Sequence, residues 1–315
     1  MENYNSSEKP VPIIVVGTER SGTKWLSNIL CNHPEIIGVQ SEFHQGIIET
    51  NMFGAMQQKF DLRFEDDYIG LIELWSLTDF FRATEVDKSL FYSLDPHPTS
   101  CIDLFKILMD TFAHNNDKHF WLQKCNAHAS LLVAMSLGNA RYVVITRDIT
   151  DTLSSLLQNA SNRRQRISVF SAVYSYIFHE KAMFRLMKQF QPPSVKYEDL
   201  KRDTEASVRG LCKSLGLKFD IGMLDIGFEK NSSFRSEFDR NTSLSACAKI
   251  AIVIYGFILR FFPLIIFQWL WHIKKAFVPT QSDPLVFGTF RSLVVQSCNR
   301  EVASGDPDGS AAITC

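Results

Sequence analysis

The chain has 315 residues, with 33 Lys and Arg against 34 Asp and Glu, 45% hydrophobic and 21% charged. That length supports one large α/β domain or two small ones, and a formal charge of −1 excludes the bulk basic charge of a nucleic-acid binder. Fifteen glycines and eleven prolines exclude low-complexity and collagen-like sequence, and seven scattered cysteines without a CxxC pair read as reduced thiols, neither a disulfide framework nor a zinc site.

The opening MENYNSSEKP is polar and lacks the apolar core of a signal peptide, so a cytoplasmic chain is expected. Pro12–Val16 (PIIVV) is a short β-branched run of the kind buried in a parallel sheet. It meets a turn at GTERSG, and then Trp25, Leu26, Ile29 and Leu30 recur at helical spacing. Residues 60 to 115 are aromatic-rich and read as mostly helical, and HFWLQ (119–123) reads as a further strand. RYVVIT (141–146) precedes a helical stretch around Leu153, Leu156 and Leu157. SVKY (194–197) precedes a helix over 205–215 that stops at Gly216. Strands separated by helical lengths predict an α/β fold: a P-loop-like parallel sheet flanked by helices, with right-handed crossovers.

Residues 250–271, IAIVIYGFILRFFPLIIFQWLW, form a nearly unbroken apolar segment flanked by Lys249, Lys274 and Lys275. As one helix it would reach about 33 Å, enough to cross a bilayer, yet Arg260 and Pro263 sit in its middle. Three readings stand: a helix or hairpin lying in one leaflet, a buried core or homodimer-interface helix, and a true span. The tail from Gly305 reads as disordered.

The strongest local signal is Gly17-Thr-Glu-Arg-Ser-Gly-Thr-Lys-Trp25, between the first strand and the first helix. A tight turn of this kind converges backbone N–H groups and a helix N-terminus on one point, which suits an anion such as phosphate. It departs from a Walker A loop, because Thr23-Lys24 stand where Lys and then Ser or Thr belong, and Trp25 supplies no hydroxyl for magnesium. Arg20 instead places a bidentate cation inside the loop. A second unit follows the RYVVIT strand: Arg147 at its end and Ser155 eight residues on, placed to share a second phosphate on the same sheet edge.

Together GTERSGTKWL (17–26), RDITDTLSS (147–155) and VKYEDL (195–200) resemble the sulfotransferases that use 3′-phosphoadenosine 5′-phosphosulfate (PAPS). LCNHPEI (30–36) is similar to the segment after the loop in their bacterial and tyrosylprotein branches, and the likeness covers about residues 12 to 243. It implies that Arg20, Ser21, Gly22, Thr23 and Lys24 hold the 5′-phosphosulfate, with Trp25 near the adenine. It also implies that Arg147 and Ser155 hold the 3′-phosphate, and that Tyr197 contacts the base. Lys124, in FWLQKCNAH, matches a lysine that faces the transferred group, although Cys-Asn-Ala follows it where Thr-Pro or Asp-Pro is commoner. Ser233, in NSSF, resembles a turn that closes over the donor. The domain organisation implied is a sulfotransferase domain over 1–245, an apolar helical segment over 246–277 and an extension over 278–315.

Sulfuryl transfer to a hydroxyl is an in-line displacement, for which Arg20, Lys24 and the loop amides would stabilise the leaving phosphate without a metal. The acceptor proton needs a base, and three candidates stand: Glu42, His44 and His128. Glu42 is preferred, on the strength of where related enzymes place a carboxylate; counting from Arg20 aligns that position with Ser41, so a one-residue slip is assumed. The acceptor is a hydroxyl on a carbohydrate, lipid or small molecule, and the rival readings are a P-loop-type kinase and an inactive nucleotide-binding membrane scaffold.

Overall fold

The computed structural model describes residues 9–50, 52–56, 59–126, 137, 139–162, 167–225 and 246–263. His128, Ser233 and residues 264–315 lie outside them.

Five parallel strands form the central sheet in the order β2-β5-β1-β6-β7: β2 (Ile36–Gly38), β5 (Phe120–Asn126), β1 (Val11–Gly17), β6 (Arg141–Thr146) and β7 (Ser194–Lys196). β1 lies in the middle, and Ile13, Ile14, Val15 and Val16 are fully buried, because helices cover both faces. The expected strand at 119–123 runs on to Asn126, since β5 stays paired with β1 from Val11↔Phe120 to Gly17↔Asn126. Lys124 therefore stands within a strand, near its carboxyl end.

α1 (Thr23–Cys31) returns along the sheet, burying Leu26, Ile29 and Leu30. A two-stranded antiparallel hairpin, β3 (Gln40–Ser41) and β4 (Gly46–Ile47), follows β2. After a π-helical turn (Met52–Met56), the aromatic-rich stretch folds as α2 (Glu65–Ser76), α3 (Asp79–Arg82), α4 (Ser89–Tyr92) and α5 (Cys101–Asn115). Trp75 meets Phe81 and Phe91 edge to face in its core and the two phenylalanine rings lie tilted to each other, with ring centroids 5.2 to 5.9 Å apart.

α6 (Ile149–Asn162) and α7 (Val169–Phe190) join β6 to β7. Tyr197, expected at the end of a strand, instead opens the short helix α8 (Tyr197–Arg202). α9 (Thr204–Leu215) ends on Gly216 at φ 67°, the left-handed stop that the sequence predicts. A 3-10 turn (Ile221–Leu224) completes this part.

α10 (Ala246–Arg260) accounts for the first half of the apolar segment and packs on α6 and α7. Its Ile252 and Leu259 share a core with Leu153, Leu156, Val173 and Ile177. Among the described residues, no helix is long and apolar enough to cross a membrane. Residues 264–271, the other half of the segment, lie outside the description. None of the five described cysteines is in a disulfide, and burial pushes the Cys31 thiol up to about 12.

Candidate active site

The site lies at the carboxyl ends of β1, β5 and β6, the edge where open α/β sheets bind ligands. The loop after β1 is shaped by two backbone constraints. Arg20 sits at φ 66° and Gly22 at φ 97°, and a Cβ on Gly22 would come within 2.5 Å of the Tyr197 ring. Only glycine fits there. Ser21 is fully buried and its hydroxyl donates to the Thr18 carbonyl at 2.7 Å, tying the loop to itself. α1 starts on Gly22 with no side-chain cap and no acidic residue in its first turn, so its N-terminal amides face the loop uncompensated.

The arginine–serine couple of the β6–α6 unit meets this loop directly. Arg20 Nε donates to Ser155 Oγ at 3.1 Å, and Arg147 Nη1 donates to the Arg20 carbonyl at 3.0 Å. The two anion cradles read from sequence thus touch. The Arg147 guanidinium stacks over the Tyr197 ring at 4.4 Å, and Trp25 meets the same ring edge-on at 5.7 Å between centroids. Arg147 Nε is buried without a hydrogen-bond partner. An unpaired buried guanidinium N–H is costly, and it is the kind of donor that an anionic ligand satisfies. Arg20, Ser21, Gly22, Thr23, Trp25, Arg147, Ser155 and Tyr197 are therefore brought into one neighbourhood.

Lys24 and Lys124 form the second half of the site. Burial, followed by the neighbouring charges of Lys124 and Arg20, pushes the Lys24 ammonium below its usual value, while Glu49 pulls it back up. Lys24 also donates to the carbonyl of His44. The Lys124 side chain is only 14% exposed, and its Nζ lies 2.5 Å from Glu49 Oε1.

Here the structure departs from the sequence expectation. Glu42 lies in the exposed turn of the β3–β4 hairpin, where its carbonyl closes the turn by accepting from Gln45 N at 2.9 Å. The carboxylate that reaches the lysines is Glu49, just past β4. The hairpin is responsible. Asn28 on α1 clamps it, with Oδ1 accepting from Ile47 N at 2.9 Å and Nδ2 donating to the Gln45 carbonyl at 3.2 Å. The chain therefore swings out at Glu42 and returns to the sheet edge at Glu49. The His44 ring turns to Asp79, with Nε2 3.3 Å from Oδ2, while its backbone carbonyl accepts from Lys24. Glu49 carries no sequence signal of its own, because neither motif nor spacing marks it.

A family model described as the sulfotransferase family matches residues 12–220. That stretch runs from β1 through α9 and includes both cradles, the hairpin and Lys124. Among solved structures, the sulfotransferase domain of the Synechococcus PCC 7002 olefin synthase is 16% identical, covering 84% of this chain and 99% of its own, with a TM-score of 0.49. A sulfotransferase from Mycobacterium tuberculosis H37Rv is 16% identical over 70% of this chain and 71% of its own, with a TM-score of 0.43. Mouse sulfotransferase SULT7A1, solved in complex with PAP, is 14% identical over 69% and 62%, with a TM-score of 0.37. No curated protein matches the chain.

Proposed function

The chain belongs to the sulfotransferase family, and from that premise we propose that its sulfuryl donor is PAPS, held by the joined cradles around Arg20 and Arg147. The enzyme transfers a sulfuryl group to an acceptor. The observation that carries the donor assignment is the meeting of Arg20, Ser155 and Arg147 within hydrogen-bond distance, with one buried guanidinium N–H left unpaired. Two fixed guanidinium groups beside an uncapped helix N-terminus suit a ligand with two separate phosphates. Tyr197 and Trp25, already in aromatic contact, offer the base a flat apolar wall.

The donor supplies a sulfur–oxygen bond to phosphate. As it breaks, a new bond forms from the acceptor oxygen to sulfur, and adenosine 3′,5′-bisphosphate leaves with the bonding pair. Arg20, Lys24 and the loop amides stabilise the charge that develops on the leaving phosphate. Lys124 faces the sulfuryl oxygens. Its ion pair with Glu49 gives that carboxylate a fixed place beside the transferred group, and Glu49 takes the acceptor proton. This assigns to Glu49 the role expected of Glu42. The cluster of Lys24, Lys124 and Arg20 does the neutralising that a metal does in phosphoryl transfer, so the reaction proceeds without one.

Calorimetric titration tests the donor. Adenosine 3′,5′-bisphosphate should bind the wild-type chain and lose about 100-fold in affinity in Arg147→Ala, whereas Mg-ATP should bind far more weakly. Equal binding of Mg-ATP, or an unchanged affinity in Arg147→Ala, would overturn the assignment.

A further inference from the structure

α10 presents two faces. One is buried, with Ile252 and Leu259 in the core of α6 and α7 and Gly256 over Ile149. The other carries Ile250, Val253, Ile254, Phe257, Phe261 and Phe262, each between 40% and 73% exposed. Six large side chains at those exposures leave roughly 600 Å² of apolar surface in water, as large as the largest patch on an ordinary monomer.

The polar groups around this face are already satisfied by the protein. Arg260 donates through Nε and Nη2 to the two oxygens of Glu180 on α7, at 3.0 and 2.8 Å. Lys181 Nζ donates to the carbonyls of Arg260 and Phe262, at 2.7 and 2.6 Å, closing the C-terminal end of the helix. The charge that makes this segment expensive to place in lipid is thus matched from below, and the apolar face can leave water without stranding an ion.

We propose that this face seats the enzyme on an anionic lipid bilayer, with α10 lying in the plane of the interface. Charge selects that occupant. Residues 246–263 contain no Asp or Glu, and with Arg260 already paired to Glu180 the exposed Lys249 and the neighbouring Lys181 leave the rim of the face cationic. At 15 residues, about 22 Å, α10 is too short to span and long enough to lie flat. The proposal is independent of the donor assignment.

Sedimentation of the full chain with vesicles tests this. The wild-type protein should pellet with vesicles of phosphatidylcholine and phosphatidylserine at 4:1, and less with phosphatidylcholine alone. Val253→Glu with Phe257→Glu should weaken that binding at least tenfold, and Lys249→Glu should reduce the preference for the anionic vesicles. Phe257→Trp keeps the face apolar, and its added fluorescence should be quenched by brominated phosphatidylcholine. Wild-type protein that stays in the supernatant, a double variant that binds as wild type, or an unquenched Phe257→Trp would overturn the proposal. So would a dimer by light scattering that the double variant dissociates, since the face would then belong to a second copy.

Discussion

The two sides of the active site are built differently. On the donor side, Thr18 and Ser21 are buried, the loop is tied to itself, and Gly22 and Tyr197 leave no room between them. On the other side, Lys124 leans on a carboxylate that is half exposed, just past a short hairpin held to α1 by Asn28 and by Lys24, which donates to the His44 carbonyl. A phosphate cradle depends on backbone amides, which a rigid loop fixes locally. A base has to meet substrates of varied shape, and its position rests on side-chain contacts made over distance.

The largest expected effect breaks the second side. Glu49→Gln should lower kcat by roughly 10²- to 10⁴-fold while leaving the affinity for adenosine 3′,5′-bisphosphate nearly unchanged. Transfer from radiolabelled donor to a panel of sterols, glycolipids, oligosaccharides and phenols would measure it. Glu42→Gln should leave kcat within about twofold; a loss as large as that of Glu49→Gln would return the role to the hairpin turn.

Next comes the rigidity of the donor side. Gly22→Ala imposes a left-handed conformation on alanine and drives its Cβ into Tyr197, which should cost roughly 2–3 kcal/mol and lower Tm by about 5–10 °C. Calorimetric melting would show it. Asn28→Ala removes both hydrogen bonds that clamp the hairpin. It should cost roughly 2 kcal/mol and, unlike Gly22→Ala, lower kcat more than donor affinity, because it releases Glu49.

The smallest effect concerns Lys24. Its ammonium is depressed by burial and by its cationic neighbours, so the folded protein binds this proton less readily than the unfolded chain. Below the folded value both states hold the proton and the cost of burying the charge is fully present. Stability then rises as pH climbs from the folded value towards 10.5, the ordinary value for lysine, where the folded state has already shed the proton. Lys24→Met lacks that rise, so urea unfolding should show its stability gaining on wild type at neutral pH and losing that advantage as pH increases. A difference that stays constant with pH would show that burial of the charge is not what shifts Lys24.

Much of the donor side was legible in the residues. The β-branched run, the Gly17–Gly22 turn and the helix after it are short-range features, and their order along the chain was enough to place them on one sheet edge. Arg147 and Ser155 followed from strand and helix periodicity. Contact between Arg20 and Ser155 was not legible, because it spans 135 residues and depends on how tightly β1 and β6 pair. The position of Glu49 was hidden for a different reason. The expectation counted residues along an assumed strand, whereas β2 stops at Gly38 and a hairpin takes the next turn. Tyr197 lies against Gly22 and Arg147 from the first turn of a helix, where a strand end was expected.

By itself, the sequence determined the parallel α/β architecture, the glycine turn after β1 and the positions of Arg147 and Ser155 on the strand–helix unit that follows, since each rests on periodicity or on a local backbone requirement. Only the tertiary structure decided which carboxylate meets Lys124 and which half of α10 faces the core. Both depend on packing between segments far apart in the chain: Asn28 against the hairpin in one case, α6 and α7 against Ile252 and Leu259 in the other. An apolar run has no inward face until a partner covers one side of it.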